Sequence, residues 1–174
     1  ILLPLYTGLW CASGPNESIS ITDFKVTPSP AKAFIVMSFH PPYNDIYHDA
    51  IEVACKQNGI LPIRGDEIQG TGNIIKDVKE EILSSSIVIA DITPKSPNVY
   101  FEVGYAMAIG KPVILLAEQS EKLPFDVAGD RTILYENSIH GRDNLVQELA
   151  THINSLLNPD SDKSLWGKLT HKHK

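Results

Sequence analysis

The sequence predicts an α/β fold, a doubly wound parallel sheet with helices on both faces, on three observations. Short apolar runs recur along the chain, at "AFIVMSF", "IVIADIT" and "KPVILLAE". Longer segments with apolar residues at helical spacing separate them. The runs are apolar throughout rather than alternating, as expected of strands buried on both faces.

Taken in order, residues 1–32 carry "SGPNESIS" and "VTPSPAKA", a polar, proline-rich arm or linker, with "SISITDFKV" a candidate edge strand. "AFIVMSF" (33–39) is the first strand. "NDIYHDAIEVACKQNG" (44–59) places Ile46, Ala50, Val53 and Ala54 at helical spacing and ends on Gly59. "ILPIRGDE" (60–67) is the second strand. "GNIIKDVKEEILSSS" (72–86) carries Ile74, Ile75, Val78 and Ile82 on one helical stripe. "IVIADIT" (87–93) is the third strand. "PNVYFEVGYAMAIG" (97–110) opens with a proline suited to a first helical turn and closes on a glycine. "KPVILLAE" (111–118) and "RTILYE" (131–136) are the fourth and fifth strands. "RDNLVQELATHINSLL" (142–157) is the last helix, with Leu145, Leu149, Ile153 and Leu156 on one side, and residues 159–174 form a polar tail. This alternation fits a flavodoxin-like five-stranded sheet of order 2-1-3-4-5 over residues 33–158.

The bulk numbers bound the function. A chain of 174 residues, 43% apolar and 21% charged, suits one globular domain with its own core. A net charge of −6 argues against a nucleic-acid backbone as the partner, while leaving room for a nucleotide-sized ligand. Cys11 and Cys55 suggest neither a disulfide framework nor a zinc site, so reduced thiols and a cytoplasmic location are expected. "ILLPLYTGLW" is too short to span a bilayer and has no basic segment before it, so no membrane association is expected. The chain begins with Ile, which suggests a piece of a longer protein with a domain upstream.

In such sheets ligands bind beyond the carboxyl ends of the strands, where the strand order reverses. The loops there are "SFHPPYND" and "DITPKSPNVYFE". Glu102 stands out among Val99, Phe101, Val103, Ala106 and Ala108. Near a helix N-terminus, free amides and the macrodipole favour an ionised carboxylate, which could act as a nucleophile or merely complement the helix. Asp91 could accept a hydrogen bond from a ligand or cap the turn after its strand. Asn98 could orient Glu102, touch a sugar hydroxyl or cap the helix. Arg64 and Asp66 could hold ribose hydroxyls or phosphate, or form a surface ion pair. Ser38 and Phe39 could floor the pocket, with Phe39 against a base or in the core. "GTGN" (70–73) could offer amides to a phosphate or form a simple turn. Phe125, in "LPFDVAGD" (123–130), could act as a lid or subunit contact. His40, His48, His140 and His152 lack metal-ligand spacing, and no motif implies a metal or cofactor.

"VIADITPKSPNVYFEVGYAMAIGKPVILL" resembles the signature of the nucleoside 2-deoxyribosyltransferase-like and TIR-like proteins of bacteria. "AFIVMSF", "RGDEIQGTGNIIKDVKEEI" and "LPFDVAGDRTILY" resemble further segments of that group, in order, over residues 33–157. The resemblance implies a flavodoxin-like sheet and enzymes that break the N-glycosidic bond of nucleosides or NAD. It places the key carboxylate, nucleophile or stabiliser of an oxocarbenium-like sugar, on Glu102. Deoxyribosyltransferases carry an Asp-containing loop just ahead of this Glu, where the present chain has "PKSPNVYF" with Asn98 and no acid. Three expectations follow: an N-glycosidase acting on a nucleoside, nucleotide or NAD; a deoxyribosyltransferase exchanging bases; or a non-catalytic TIR-like nucleotide-sensing or assembly module. A homo-oligomer, or fusion to an upstream domain, is expected in each case.

Overall fold

The computed structural model describes residues 30–68, 74–93, 95–120 and 132–159. Five parallel strands, β1 (Lys32–Val36), β2 (Leu61–Arg64), β3 (Ile87–Asp91), β4 (Val113–Glu118) and β5 (Thr132–Tyr135), form one sheet of order β2-β1-β3-β4-β5. The register runs Ile35↔Arg64, Ile35↔Ile89, Ala90↔Leu115 and Leu116↔Ile133. The strand order agrees with the expectation from the sequence.

Because side chains alternate along a strand, apolar runs feed two cores, one on each face. Ala33, Ile35, Ile87, Ile89, Ile114 and Leu116 point to one face and Phe34, Val36, Val88, Ala90, Leu115 and Ala117 to the other. The first face is covered by α1 (Tyr43–Ile46), a π-helical segment (Tyr47–Ile51), α2 (Glu52–Gln57) and α5 (Ile139–Leu157). The second is covered by α3 (Ile74–Ser84) and α4 (Pro97–Ala108). Burial of each fully enclosed side chain such as Ile35 or Leu149 stabilises the fold by about 1.5–3 kcal/mol.

The helix expected over residues 44–59 contains the π-helical segment, for a reason visible in its inward residues. Ile46, Ala50 and Ala54 recur every four residues, as do Tyr47, Ile51 and Cys55, and all six are buried. A regular helix of 3.6 residues per turn rotates such a set steadily off the core, and a wider turn brings it back. Val53 is consequently only half-buried.

Two other helices differ from expectation. In α3, Val78 and Ile82 are buried while Ile74 and Ile75 stand exposed. Helix α5 starts at Ile139 rather than at residue 142. Its N-cap is Ser138, whose Oγ accepts a hydrogen bond from the Gly141 amide at 3.0 Å. Gly141 is required here, since a Cβ would lie 2.2 Å from the Glu136 carbonyl oxygen. Leu156 is exposed, and Leu157 packs on the core instead. Most of the expected arm, the "GTGN" turn, the loop bearing Phe125 and most of the tail lie outside the described residues. Among the described residues no helix is long and apolar enough to cross a membrane.

Candidate active site

A cavity of about 650 Å³ opens beside the carboxyl ends of β1 and β2 and the N-terminal half of α4. The strand order reverses between β1 and β3, so this is the switch point of the sheet. The end of β1 and the turn after it contribute Met37, Ser38, Phe39 and His40. The turn after β2 contributes Gly65 and Asp66, and α4 with its cap contributes Ser96, Asn98, Val99 and Glu102.

Glu102 is the sixth residue of α4, one turn beyond the free amides of the helix start. It is half-buried and, among the described residues, makes no hydrogen bond and no ion pair. Burial pushes its carboxyl up from about 4.5 to about 7. The expected stabilisation of the charge by the helix end does not prevail. The macrodipole acts mainly within the first turn, whereas dehydration acts directly on this side chain. Glu102 therefore exchanges its proton near neutral pH, a property suited to acid–base or nucleophilic work.

Ser38, Phe39, Asp66 and Asn98 share this cavity with Glu102. Phe39 has two roles, bordering the cavity while packing against the core beneath Arg64. Arg64 is not among the residues bordering the cavity. Its guanidinium lies 4.3 Å from the Phe39 ring centre and 4.8 Å from that of Tyr47. Nε and one terminal nitrogen donate to the two oxygens of Asp66 at 2.9 and 2.8 Å, and the other terminal nitrogen donates to Asn44 Oδ1 at 3.2 Å. Three of its five N–H donors are thus engaged by the protein itself, and Nε also lies 3.3 Å from Glu67. Of the two readings offered by the sequence, the ion pair with Asp66 is present, and the guanidinium also lies over Phe39. That fork, with burial opposing it, keeps the Asp66 carboxyl below its ordinary range.

Asp91 is not brought to the cavity either. It is fully buried, and its face of the sheet points toward Tyr135. Tyr135 donates to Oδ2 at 2.7 Å, while the Thr93 amide and hydroxyl donate to Oδ1 at 2.9 and 2.5 Å. Thr93 Oγ1 in turn accepts from the Glu118 amide at 3.0 Å. Burial raises the Asp91 carboxyl and these donors oppose the rise. The capping alternative read from the sequence describes Asp91; the ligand role does not, because its oxygens are enclosed. His40 and Ser96 were not picked out from the sequence. Both lie in the two loops that flank the switch point, and that placement is the signal that marks them.

The sequence from residue 36 to 157 matches the family model described as nucleoside 2-deoxyribosyltransferase. No curated protein matches the sequence. Among solved structures, the CMP N-glycosidase of Clostridium botulinum is similar at a TM-score of 0.54 and 20% identity, over 70% of this chain and 98% of that one. A 2-deoxyribosyltransferase from Bacillus psychrosaccharolyticus gives 0.52 and 17%, over 67% of this chain and 90% of that one. The TIR domain of a Toll-related receptor from Hydra magnipapillata gives 0.51 and 11%, over 67% and 96%. At these identities the structural likeness speaks for the fold, while the family match covers most of the sequence and every residue of the cavity from Met37 to Glu102. The chain belongs to the nucleoside 2-deoxyribosyltransferase family.

Proposed function

We propose that the protein breaks the N-glycosidic bond of a nucleoside, nucleotide or NAD, with Glu102 as the carboxylate beneath the anomeric carbon. One observation carries this reading: Glu102 is a half-buried carboxyl without a partner among the described residues, bordering a ligand-sized cavity at the sheet's switch point. A structural carboxyl of that burial normally has a hydrogen-bond partner. The family match and the N-glycosidase among the similar structures agree with the chemistry.

In this mechanism the sugar develops positive charge as the base departs, and ionised Glu102 stabilises that charge or bonds to C1′. Asp66, kept ionised by Arg64, accepts hydrogen bonds from sugar hydroxyls. Asn98 and Ser38 supply further polar contacts, and Phe39 offers an apolar surface to the base. Water then takes the sugar. Transfer to a second base is the other reading, favoured by the family match itself. The absence of an acid in "PKSPNVYF" favours hydrolysis.

The test is to incubate the protein with NAD, and separately with deoxynucleosides plus a second base, and to separate the products by chromatography. Release of base without exchange supports hydrolysis, and exchange supports transfer. Both must vanish in Glu102→Gln. Turnover that survives this substitution removes Glu102 from the reaction. Tight nucleotide binding without any turnover leaves a sensing module and overturns the proposal.

A further inference from the structure

Breaking a bond to a neutral base leaves an electron pair on a ring nitrogen, so departure is easier when an acid meets that nitrogen. Among the described residues three ionisable side chains border the cavity: His40, Asp66 and Glu102. Asp66 is poorly suited to donate a proton, because the two-point hydrogen bonding from Arg64 favours its ionised form. Glu102 is required ionised in the reading above. His40 remains, an imidazole bordering the cavity whose ring nitrogens can carry a proton to a departing base.

Its placement suits the task. His40 opens the turn between β1 and α1, and its carbonyl oxygen accepts from the Tyr43 amide at 3.0 Å, so the backbone there is tied. Its side chain is exposed and borders the cavity, free to meet a ligand. Among the described residues no hydrogen bond or ion pair engages its ring, unlike His48 and His152, whose rings face Glu52 and the Glu148 carbonyl. The groups facing it are Asp66, near enough for the two charges to interact, and, across the same cavity, Glu102.

We propose that His40 is the acid that protonates the departing base. This rests on the N-glycosidase reading of the site. In the first step the C1′–N bond breaks and its electron pair stays with the base, which takes the proton of the His40 imidazolium. The sugar is held by the Glu102 carboxylate. In the second step a water oxygen bonds to C1′, its proton passes to the His40 imidazole, and the carboxylate is released. The proton and both catalytic groups are thus restored, and no further reactant is needed beyond water.

The experiment compares leaving groups. Guanosine needs a proton on its base to leave, whereas 7-methylguanosine and NAD carry a cationic ring that departs neutral without one. Wild type, His40→Gln and Glu102→Gln are assayed on all three. For His40→Gln the expected loss of kcat/KM on guanosine is about 10²-fold or more, with a markedly smaller loss on 7-methylguanosine and NAD. Residual turnover of the cationic substrates shows that the variant is folded. Equal losses on all three substrates, or wild type that cleaves only the cationic ones, would overturn the role of His40 while leaving the glycosidase reading in place. No cleavage of any substrate by wild type overturns both.

Discussion

Glu102→Gln should stabilise the protein, and do so only above a certain pH. The carboxyl titrates near 7 in the folded protein, against about 4.5 ordinarily. Between those values the folded state keeps a proton that the unfolded chain has lost, so stability falls as pH rises through this window. Below about pH 4.5 Glu102 is neutral in both states and differs little from Gln. Above about pH 7 the folded protein carries a dehydrated charge that Gln lacks. At 1.36 kcal/mol per pH unit the full difference is at most ~3.4 kcal/mol. The side chain is partly open to solvent, which screens the charge, so about 1–2 kcal/mol is expected at pH 8. For a chain of this size that corresponds to a Tm about 2–8 °C higher. Thermal melts of both proteins in steps from pH 4 to 8.5 provide the assay, because every other titrating group cancels in the difference. Parallel curves, or a Gln variant less stable at pH 8, would mean that the folded protein carries no dehydrated charge at Glu102. The same substitution should abolish base release. For wild type, kcat/KM on NAD, which needs no acid, should rise as pH passes through about 7, since only the ionised carboxylate serves the sugar.

Other substitutions test the neighbouring groups. Arg64→Met removes the fork on Asp66 and the stacking on Phe39. Urea unfolding should show a loss of about 1–3 kcal/mol at pH 7, shrinking below about pH 4 as Asp66 protonates, with KM raised about tenfold and kcat changed less. An unchanged KM would remove Arg64 as the residue that positions Asp66. Tyr135→Phe deletes the donor to Asp91 Oδ2 and should cost about 1–3 kcal/mol, read by urea unfolding; a neutral result would mean that Asp91 is held adequately by Thr93 alone. Gly141→Ala drives a methyl group into the Glu136 carbonyl and should cost about 1–3 kcal/mol in the same assay, whereas an unaltered midpoint would show that the start of α5 yields freely.

The architecture was legible because its signals are local. Pro97 and Gly110 bracket α4, and the uninterrupted apolar runs of β1, β3 and β4 allow no solvent-facing side. Where the structure departs from the sequence pattern, a nonlocal fit is responsible. The helix expected from residue 142 starts at Ile139, where Gly141 lets the first turn pass close to Glu136. Ile74 and Ile75 match a helical stripe by spacing, but the sheet reaches only as far as Val78 and Ile82.

The candidate site divides in the same way. Glu102 could be singled out from sequence, since a carboxyl among apolar residues, following a strand at the switch point, has few places to go. For Arg64 and Asp66 the sequence offered an ion pair beside a ligand role, and for Asp91 a turn cap beside a ligand role, without deciding between them. Arg64 and Asp66 stand two residues apart, yet a turn of 3-10 helix at Gly65–Glu67 puts the carboxyl on the cavity and leaves the guanidinium between Phe39 and Tyr47. Asp91 is claimed by Tyr135, 44 residues further along the chain. By itself the sequence determined the sheet, its order and the edge at which the cavity opens, because periodicity and chain connectivity specify which faces are buried. Only the tertiary structure decided which ionisable groups border that cavity. A charged side chain is satisfied by whatever partners the fold brings within hydrogen-bond reach, and these include distant ones such as Asn44 for Arg64 and Tyr135 for Asp91 as well as neighbours in sequence.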